Sequence, residues 1–249
     1  MENNATAVRI AAPSCVLPAT VAENAFFLCG RVDEVCLCLF DCKACLEYSE
    51  KDLPRSLLTL PLSWHAHLPC DLPWDLGADA AAKAALAVLD KVGFLSVSRA
   101  VLHPPPGSSA HKRRLLGDFI KFWSRASSVP LLLENIACCD LVELGENFSA
   151  EHGFGVCLDI GHLLGYDQGS LLASELPEAA ELVHWSAPGG RDEHLPLVAL
   201  TREQYADAQR LALRLSRAKV HLVEVFDWGG VETSLPVVKT LCCRWLRGK

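Results

Sequence analysis

The chain of 249 residues contains no run of about 18 consecutive apolar residues, the length a bilayer-spanning helix needs. An export-type leader is not expected either, since the opening MENNATAVRI has no cationic stretch followed by an apolar one. Both absences lead to the expectation of a cytoplasmic protein without a membrane partner. Clustered Lys and Arg are missing too: the formal charge is -7, and the densest basic run, Lys112, Arg113 and Arg114, reads as the solvated face of a helix. A protein that grips many phosphates of a nucleic acid needs a basic stripe, so nucleic acid is not expected as a partner. No low-complexity linker offers a place to cut the chain, which points to a single domain over residues 1–249. No G-x-G-x-x-G fingerprint follows the first strand, where the sequence runs RIAAPSCVL, and this weakens a doubly wound nucleotide-binding sheet.

With 51% apolar and 21% charged residues, the chain can bury a large core, and disorder, collagen and coiled coil are excluded. The twelve cysteines include the adjacent pairs Cys138-Cys139 and Cys242-Cys243. In a mid-sized chain for which no leader is expected they read as reduced thiols, mostly filling the core.

Eight short β-rich runs alternate with helical ones: Val8-Ala12, Glu34-Phe40, Leu60-Leu68, Leu95-His103, Pro130-Ile136, Gly155-Ile160, Glu181-Ser186 and Lys219-Phe226. Among the helices, Ala110 to Ala126 places Leu115, Leu116, Phe119, Ile120 and Trp123 on one buried face. A later helix opens with Thr201 and Gln204 at capping-box spacing. The last is expected from about Leu235 to Leu246, with Pro236 in its first turn. Strands such as LLLE and VCL are apolar on both faces, as parallel strands covered by helices are. The length and rhythm are those of an α/β fold, the (β/α)8 TIM barrel, whose active sites lie at the carboxyl ends of the strands.

Those strand ends carry a polar set. The third ends in WHAHLP with His65 and His67, the fourth in AVLHPP with His103, and the fifth in LLLENI with Glu134. The sixth ends in CLDIGH with Asp159 and His162, the seventh in LVHWSAP with His184, and the loop after it holds Asp192 and His194; Glu224 closes the eighth. Any one of these histidines is more often an ordinary hydrogen-bonded barrel residue, but their joint placement is harder to dismiss. Alternation along a strand puts His65 and His67 on one face with His65 a layer deeper, so His67 is the better ligand and His65 a substrate contact or a support. The same alternation turns His221 toward the helices when Glu224 points inward, and assigns it to structure. Three carboxylates buried together would cost several kcal/mol without counter-charge. Cations remove that penalty, and mixed imidazole and carboxylate donors suit Zn, Mn, Fe or Co, with room for two ions or three.

This pattern resembles the xylose-isomerase-like barrels over essentially the whole chain. Two branches of that superfamily share a Glu, Asp, His, Glu core, here Glu134, Asp159, His184 and Glu224. The added histidines and the Asp-x-His pair, here Asp192 and His194, resemble the apurinic/apyrimidinic endonuclease branch. By that resemblance His67 and His103 bind one ion, Glu134 bridges to a second held by Asp159, His184 and Glu224, and His162, Asp192 and His194 bind a third. Departures are His65-Ala66-His67 in place of one histidine, a shorter span from His184 to Asp192, and no basic DNA-binding loops. The stretches RIAAPSCVLP, WHAHLPCDLPW, LLLENI, GVCLDIGHLLGYDQ and VHWSAPGGRDEHLPL are similar to a narrower group, the cobamide-remodelling phosphodiesterases. That likeness implies hydrolysis of the nucleotide loop of a corrinoid to cobinamide phosphate and the α-riboside of the lower base. It makes Glu134 and Glu224 the catalytic carboxylates and His65, Asp71 and Trp74 candidate substrate contacts, for which an ordinary Pro-rich loop is an equal alternative.

Two other readings stay open. A metal-dependent sugar or cyclitol isomerase or epimerase needs only the four-residue core, and a barrel that binds its ligand without turnover needs no chemistry at all. Separately, Cys36, Cys38, Cys42 and Cys45 have a spacing that could hold zinc or an iron-sulfur cluster, although two of them share one strand face.

Overall fold

Eight parallel strands hydrogen-bond in sequence order and close into a ring. They are β1 (Arg9–Pro13), β2 (Glu34–Cys38), β3 (Ser63–His67), β4 (Ala100–Leu102), β5 (Leu131–Glu134), β6 (Gly155–Asp159), β7 (Ala180–Trp185) and β8 (Val220–Val223), with β8 pairing back onto β1. The computed structural model describes residues 8–145, 147–190 and 193–242. A closed ring rules out the doubly wound sheet. Among the described residues no helix is long and apolar enough to cross a membrane.

The two-faced apolar strands have two destinations. Ala11, Cys36, Val101, Leu132, Cys157, Leu182 and Leu222 fill the barrel interior, while their neighbours Val35, Leu37, Leu133, Val183 and Val223 pack under the helices. This alternation sets what reaches the mouth. In the ladder Cys38 stands beside His67, His67 beside Val101, and Asp159 beside His184. Residues at the ends of different strands therefore arrive at one level.

The helical layer follows the sequence where caps are explicit. Thr201 and Gln204 form a reciprocal capping box at the start of the helix Arg202–Ala212. The helix Ser109–Ala126 buries Leu115, Leu116, Phe119 and Trp123. Its basic run is not wholly solvated: Lys112 is buried against Glu143 and the Cys138 carbonyl, because the turn Val142–Leu144 folds back over it. The final helix runs Trp228–Leu241, earlier than expected, since Asp227 caps it by accepting from the Gly230 amide at 2.8 Å. Pro236 thus lies inside the helix, where its missing N–H forfeits one backbone bond. The fourth strand is also shorter than expected, because Ser96 at φ 54 closes a 3-10 turn over Gly93–Leu95.

Every described cysteine is a thiol outside any disulfide. Cys36 and Cys38 line the barrel interior and Cys45 packs beneath the helices, so the four cysteines of the C-x-C-x3-C-x2-C run do not converge as ligands. Strand geometry decides this, since the last two have left β2 for the helix Cys42–Leu46.

Candidate metal centre at the barrel mouth

The tips of β3 to β8 bring His67, His103, Glu134, Asp159, His162, His184, His194 and Glu224 together. Asp192 lies outside the described residues. Glu134 is at the middle: its Oε2 is 3.1 Å from His67 Nε2 and 3.3 Å from His103 Nε2, and its Oε1 is 3.3 Å from His184 Nδ1. His184 Nδ1 in turn lies 2.8 Å from Glu224 Oε2 and 3.8 Å from Asp159 Oδ2, and His194 Nδ1 is 3.5 Å from Glu224 Oε2. One atom each from Glu134, Asp159, His184 and Glu224 falls within 4.8 Å of the others, and a second group of the same tightness joins His67, Cys70 and His103.

Backbone bonds fix which nitrogens face inward. His67 Nδ1 donates to the Leu68 carbonyl at 3.0 Å, and His162 Nδ1 donates to the Asn135 carbonyl at 2.8 Å. Each neutral ring is then left with its lone pair on Nε2, the arrangement of a metal-ligating histidine held by a carbonyl. Asp159 divides its oxygens. Oδ1 accepts from the His162 amide at 2.5 Å, capping the helix Ile160–Gly165, while Oδ2 is buried without a hydrogen-bond partner. Gly161 is required in this turn, since a Cβ there would sit 2.2 Å from Ser186 Oγ.

Asn135 is a member of the site that the sequence pattern does not single out. Its side chain accepts from the Asp159 amide at 2.7 Å and donates to the Asp159 carbonyl and to Gln168 Oε1 at 2.9 Å each. It ties the end of β5 to the end of β6 and holds Asp159 and His162 in place. The available signal is the polar residue directly after Glu134 in LLLENI.

The electrostatics call for positive charge. Glu134, Asp159 and Glu224 are at most 2% exposed, and among the described residues no Lys or Arg pairs with them. Burial pushes Asp159 up to about 6, with the Glu224 and Glu134 charges adding to it and His162 and His184 opposing. Burial works the same way on Glu224 and Glu134, but the adjacent imidazoles win: His184 holds Glu224 down at about 2, and His184 with His103 keeps Glu134 well below the usual carboxylate range. His184 is held well above an ordinary imidazole despite its burial, by Cys157, Glu224 and Glu134. Yet contact is not hydrogen bonding here. His184 Nδ1, Glu224 Oε2, His103 Nε2 and Asp159 Oδ2 are all buried without a partner of acceptable geometry. One ring nitrogen cannot donate to three carboxylates; lone pairs converging on a common space are what divalent cations satisfy.

No protein-family model and no curated protein matches the sequence. Solved structures match along nearly its whole length. Endonuclease IV from Thermus thermophilus aligns with a TM-score of 0.69 at 20% identity, covering 97% of this chain and 100% of that one. The IOLI protein with a bound zinc atom gives 0.68 at 13%, covering 96% and 99%, and a D-tagatose 3-epimerase-like protein gives 0.65 at 13%, covering 95% and 98%. The fold is the xylose-isomerase-like (β/α)8 barrel. At these identities the likeness is one of fold.

In this barrel, two of the three residues expected to touch substrate, His65 and Trp74, have other surroundings. His65 is fully buried below the mouth, where Nδ1 donates to Glu34 Oε1 at 2.7 Å. Trp74 packs its ring 5.1 Å from Phe119 of the helix Ser109–Ala126 and belongs to the outer core, a correction that follows from the chain turning outward after Leu72. Asp71 stays in the rim loop, where its Oδ1 accepts from the Cys42 amide at 2.9 Å. Aromatic surface at the rim comes instead from Phe226, 39% exposed, with its ring 5.1 Å from His194 and 5.7 Å from Phe40.

Proposed function

We propose that the protein is a metal-dependent phosphodiester hydrolase that opens the nucleotide loop of cobamides, releasing cobinamide phosphate and the α-riboside of the lower base. The observation that carries this reading is the buried mouth itself, in which carboxylates and imidazoles surround Glu134 with no Lys or Arg among their partners in the described residues. Two or three divalent ions fit that donor set: His67 and His103 with Glu134 on one side, Asp159, His184 and Glu224 with Glu134 on the other, and His162 and His194 toward the rim. Such ions acidify a water from about 15.7 to roughly 7 and neutralise phosphate oxygens, the two obstacles to hydrolysis of a diester anion.

The chain's own residues do the rest. Glu134, held anionic by His184 and His103, keeps its two oxygens directed to opposite halves of the centre. Glu224, held anionic by His184, is placed to orient a water or hold its proton. His194 and Phe226 lie together at the opening, so a substrate presenting a phosphate and a flat apolar body meets imidazole and an aromatic face at once. The absence of a basic stripe among the residues favours a small corrinoid over a nucleic acid as substrate.

The test is incubation of zinc-, cobalt- or manganese-loaded protein with adenosylcobalamin, followed by mass spectrometry. Cobinamide phosphate and the lower-base riboside should appear, and should not appear with Glu134→Gln. A second reading, sugar isomerisation or epimerisation, is favoured by the compactness of the four-residue group Glu134, Asp159, His184 and Glu224. It requires about one ion per chain and conversion of a ketose, with His103→Ala and His194→Ala remaining active. Metal-loaded protein that converts a ketose and leaves the corrinoid intact would replace the first reading with the second.

A further inference from the structure

Cys70 follows β3 by three residues, in the loop HLPCD, and no residue pattern marks it as more than one of twelve thiols. The fold gives it a definite place. Its amide donates to the Phe40 carbonyl at 3.0 Å, and the side chain of the next residue, Asp71, accepts from the Cys42 amide at 2.9 Å. These two bonds fasten the loop to the segment leaving β2 and turn it over the mouth. The Cys70 sulfur then lies within 4.8 Å of a ring nitrogen of both His67 and His103, whose own nitrogens are equally close to each other. Below them, both Nε2 atoms face Glu134 Oε2, at 3.1 and 3.3 Å. His67 can donate to the Leu68 carbonyl and to this carboxylate together only as an imidazolium; with a cation between Nε2 and Oε2 the neutral ring suffices. His103 Nε2 is buried with no hydrogen-bond partner.

We infer that Cys70 is a thiolate ligand, joining His67 and His103 in a site on the outer side of the mouth, next to Glu134, that takes a thiophilic ion such as Zn(II) or Co(II). The groups run from the buried carboxylate, through His67 at 2% and His103 at 23% side-chain exposure, to the exposed thiol at the rim. Two imidazole nitrogens and a thiolate sulfur are donors that zinc and cobalt would accept together. A sulfur donor selects Zn, Co or Fe and rejects Mn and Mg, which prefer oxygen. The inference rests on the metal-dependent reading above but concerns one ligand of one ion. On ion binding the thiol gives its proton to solvent and the Sγ lone pair forms the new bond, with no change of oxidation state.

Cobalt(II) is the probe. Wild-type protein titrated with Co(II) should develop visible d–d bands together with the near-ultraviolet sulfur-to-cobalt charge-transfer band. Cys70→Ser, an exposed and isosteric change whose folding is checked by circular dichroism, should lose the sulfur band and keep the visible ones. Its affinity for Zn(II) should fall on the order of ten- to hundredfold, while that for Mn(II) changes little. Cys157, a second thiol grouped with site ligands among the described residues, supplies the control: Cys157→Ala should keep the sulfur band. Visible bands without a sulfur band in wild type, or a sulfur band that survives Cys70→Ser, would overturn the inference and leave the metal centre standing. No Co(II) binding at all would overturn both.

Discussion

The barrel holds two buried clusters of carboxylate and histidine, stacked along one axis and built on opposite principles. In the lower one Glu34 meets a permanent cation: Arg9 Nε is 2.9 Å from its Oε2, and His65 donates to its Oε1 at 2.7 Å. Burial pushes Glu34 up and His65 down, but His65, Arg9 and Arg99 hold the acid below its ordinary range, so the cluster is an anion matched by guanidinium beside a neutral ring. The upper cluster gathers Glu134, Asp159 and Glu224 with five imidazoles and no guanidinium among the described residues. Both clusters hold buried atoms without a hydrogen-bond partner, His65 Nε2 among them below and His103 Nε2, His184 Nδ1, Asp159 Oδ2 and Glu224 Oε2 above, but only the lower one has a fixed cation beside its carboxylate. A fixed charge serves stability; a deficit of charge reserves the place for a bound ion.

Breaking each cluster separately should give opposite phenotypes. The largest effect is expected on rate, where Glu134→Gln and Glu224→Gln should lower the proposed phosphodiester hydrolysis by several powers of ten with circular dichroism and thermal midpoint near wild type, because rim residues serve chemistry and the lower layers serve the fold. Glu34→Gln should do the reverse, lowering unfolding free energy in urea by about 3 kcal/mol, at the low end for a broken buried pair because Arg9 can reach water, and leaving the rate per folded molecule within a few fold. Zinc at a hundred times its dissociation constant should raise stability by about 2.7 kcal/mol through preferential binding to the folded state, measured as a shift in urea midpoint, and the gain should shrink in His67→Ala.

A smaller effect sharpens the contrast through a histidine outside both clusters. His221 is fully buried outside the ring, where its Nδ1 accepts from Trp185 Nε1 at 3.0 Å, and burial lowers its pKa to about 4. Above pH 6.5 the ring is neutral folded or unfolded. Below that the unfolded chain takes the proton first, so stability is lost as pH falls from 6.5 toward 4, by about 2 kcal/mol at pH 5. Chelator-treated His221→Gln should show a flatter decline over this window than the chelator-treated parent.

The barrel was legible because parallel strands buried on both faces leave uninterrupted apolar runs, and because a charged or imidazole residue at the end of such a run has few other reasons to be there. Strand alternation was enough to separate His221 from Glu224 and to put His65 beneath His67. What could not be read depends on where loops return. Trp74 has the sequence context of a rim residue, but the chain turns outward to Phe119, and Lys112 has that of a solvated one, but the turn at Glu143 covers it. Asn135 and Cys70 owe their placement to bonds with distant parts of the chain, Asp159 at the end of β6 and Phe40 just after β2, which no local pattern encodes. Pro236 misleads for a different reason: proline is a common helix opener, but Asp227 supplies a stronger start.

Asp159 works on two fronts at once, one oxygen securing the first turn of the helix Ile160–Gly165 and the other turned to the centre. Anything that draws charge from one oxygen is felt by its twin. Filling the centre therefore tightens or slackens the hinge of the very segment that presents His162, and amide hydrogen exchange along residues 160–165 should report occupancy from the far side of a single carboxyl group.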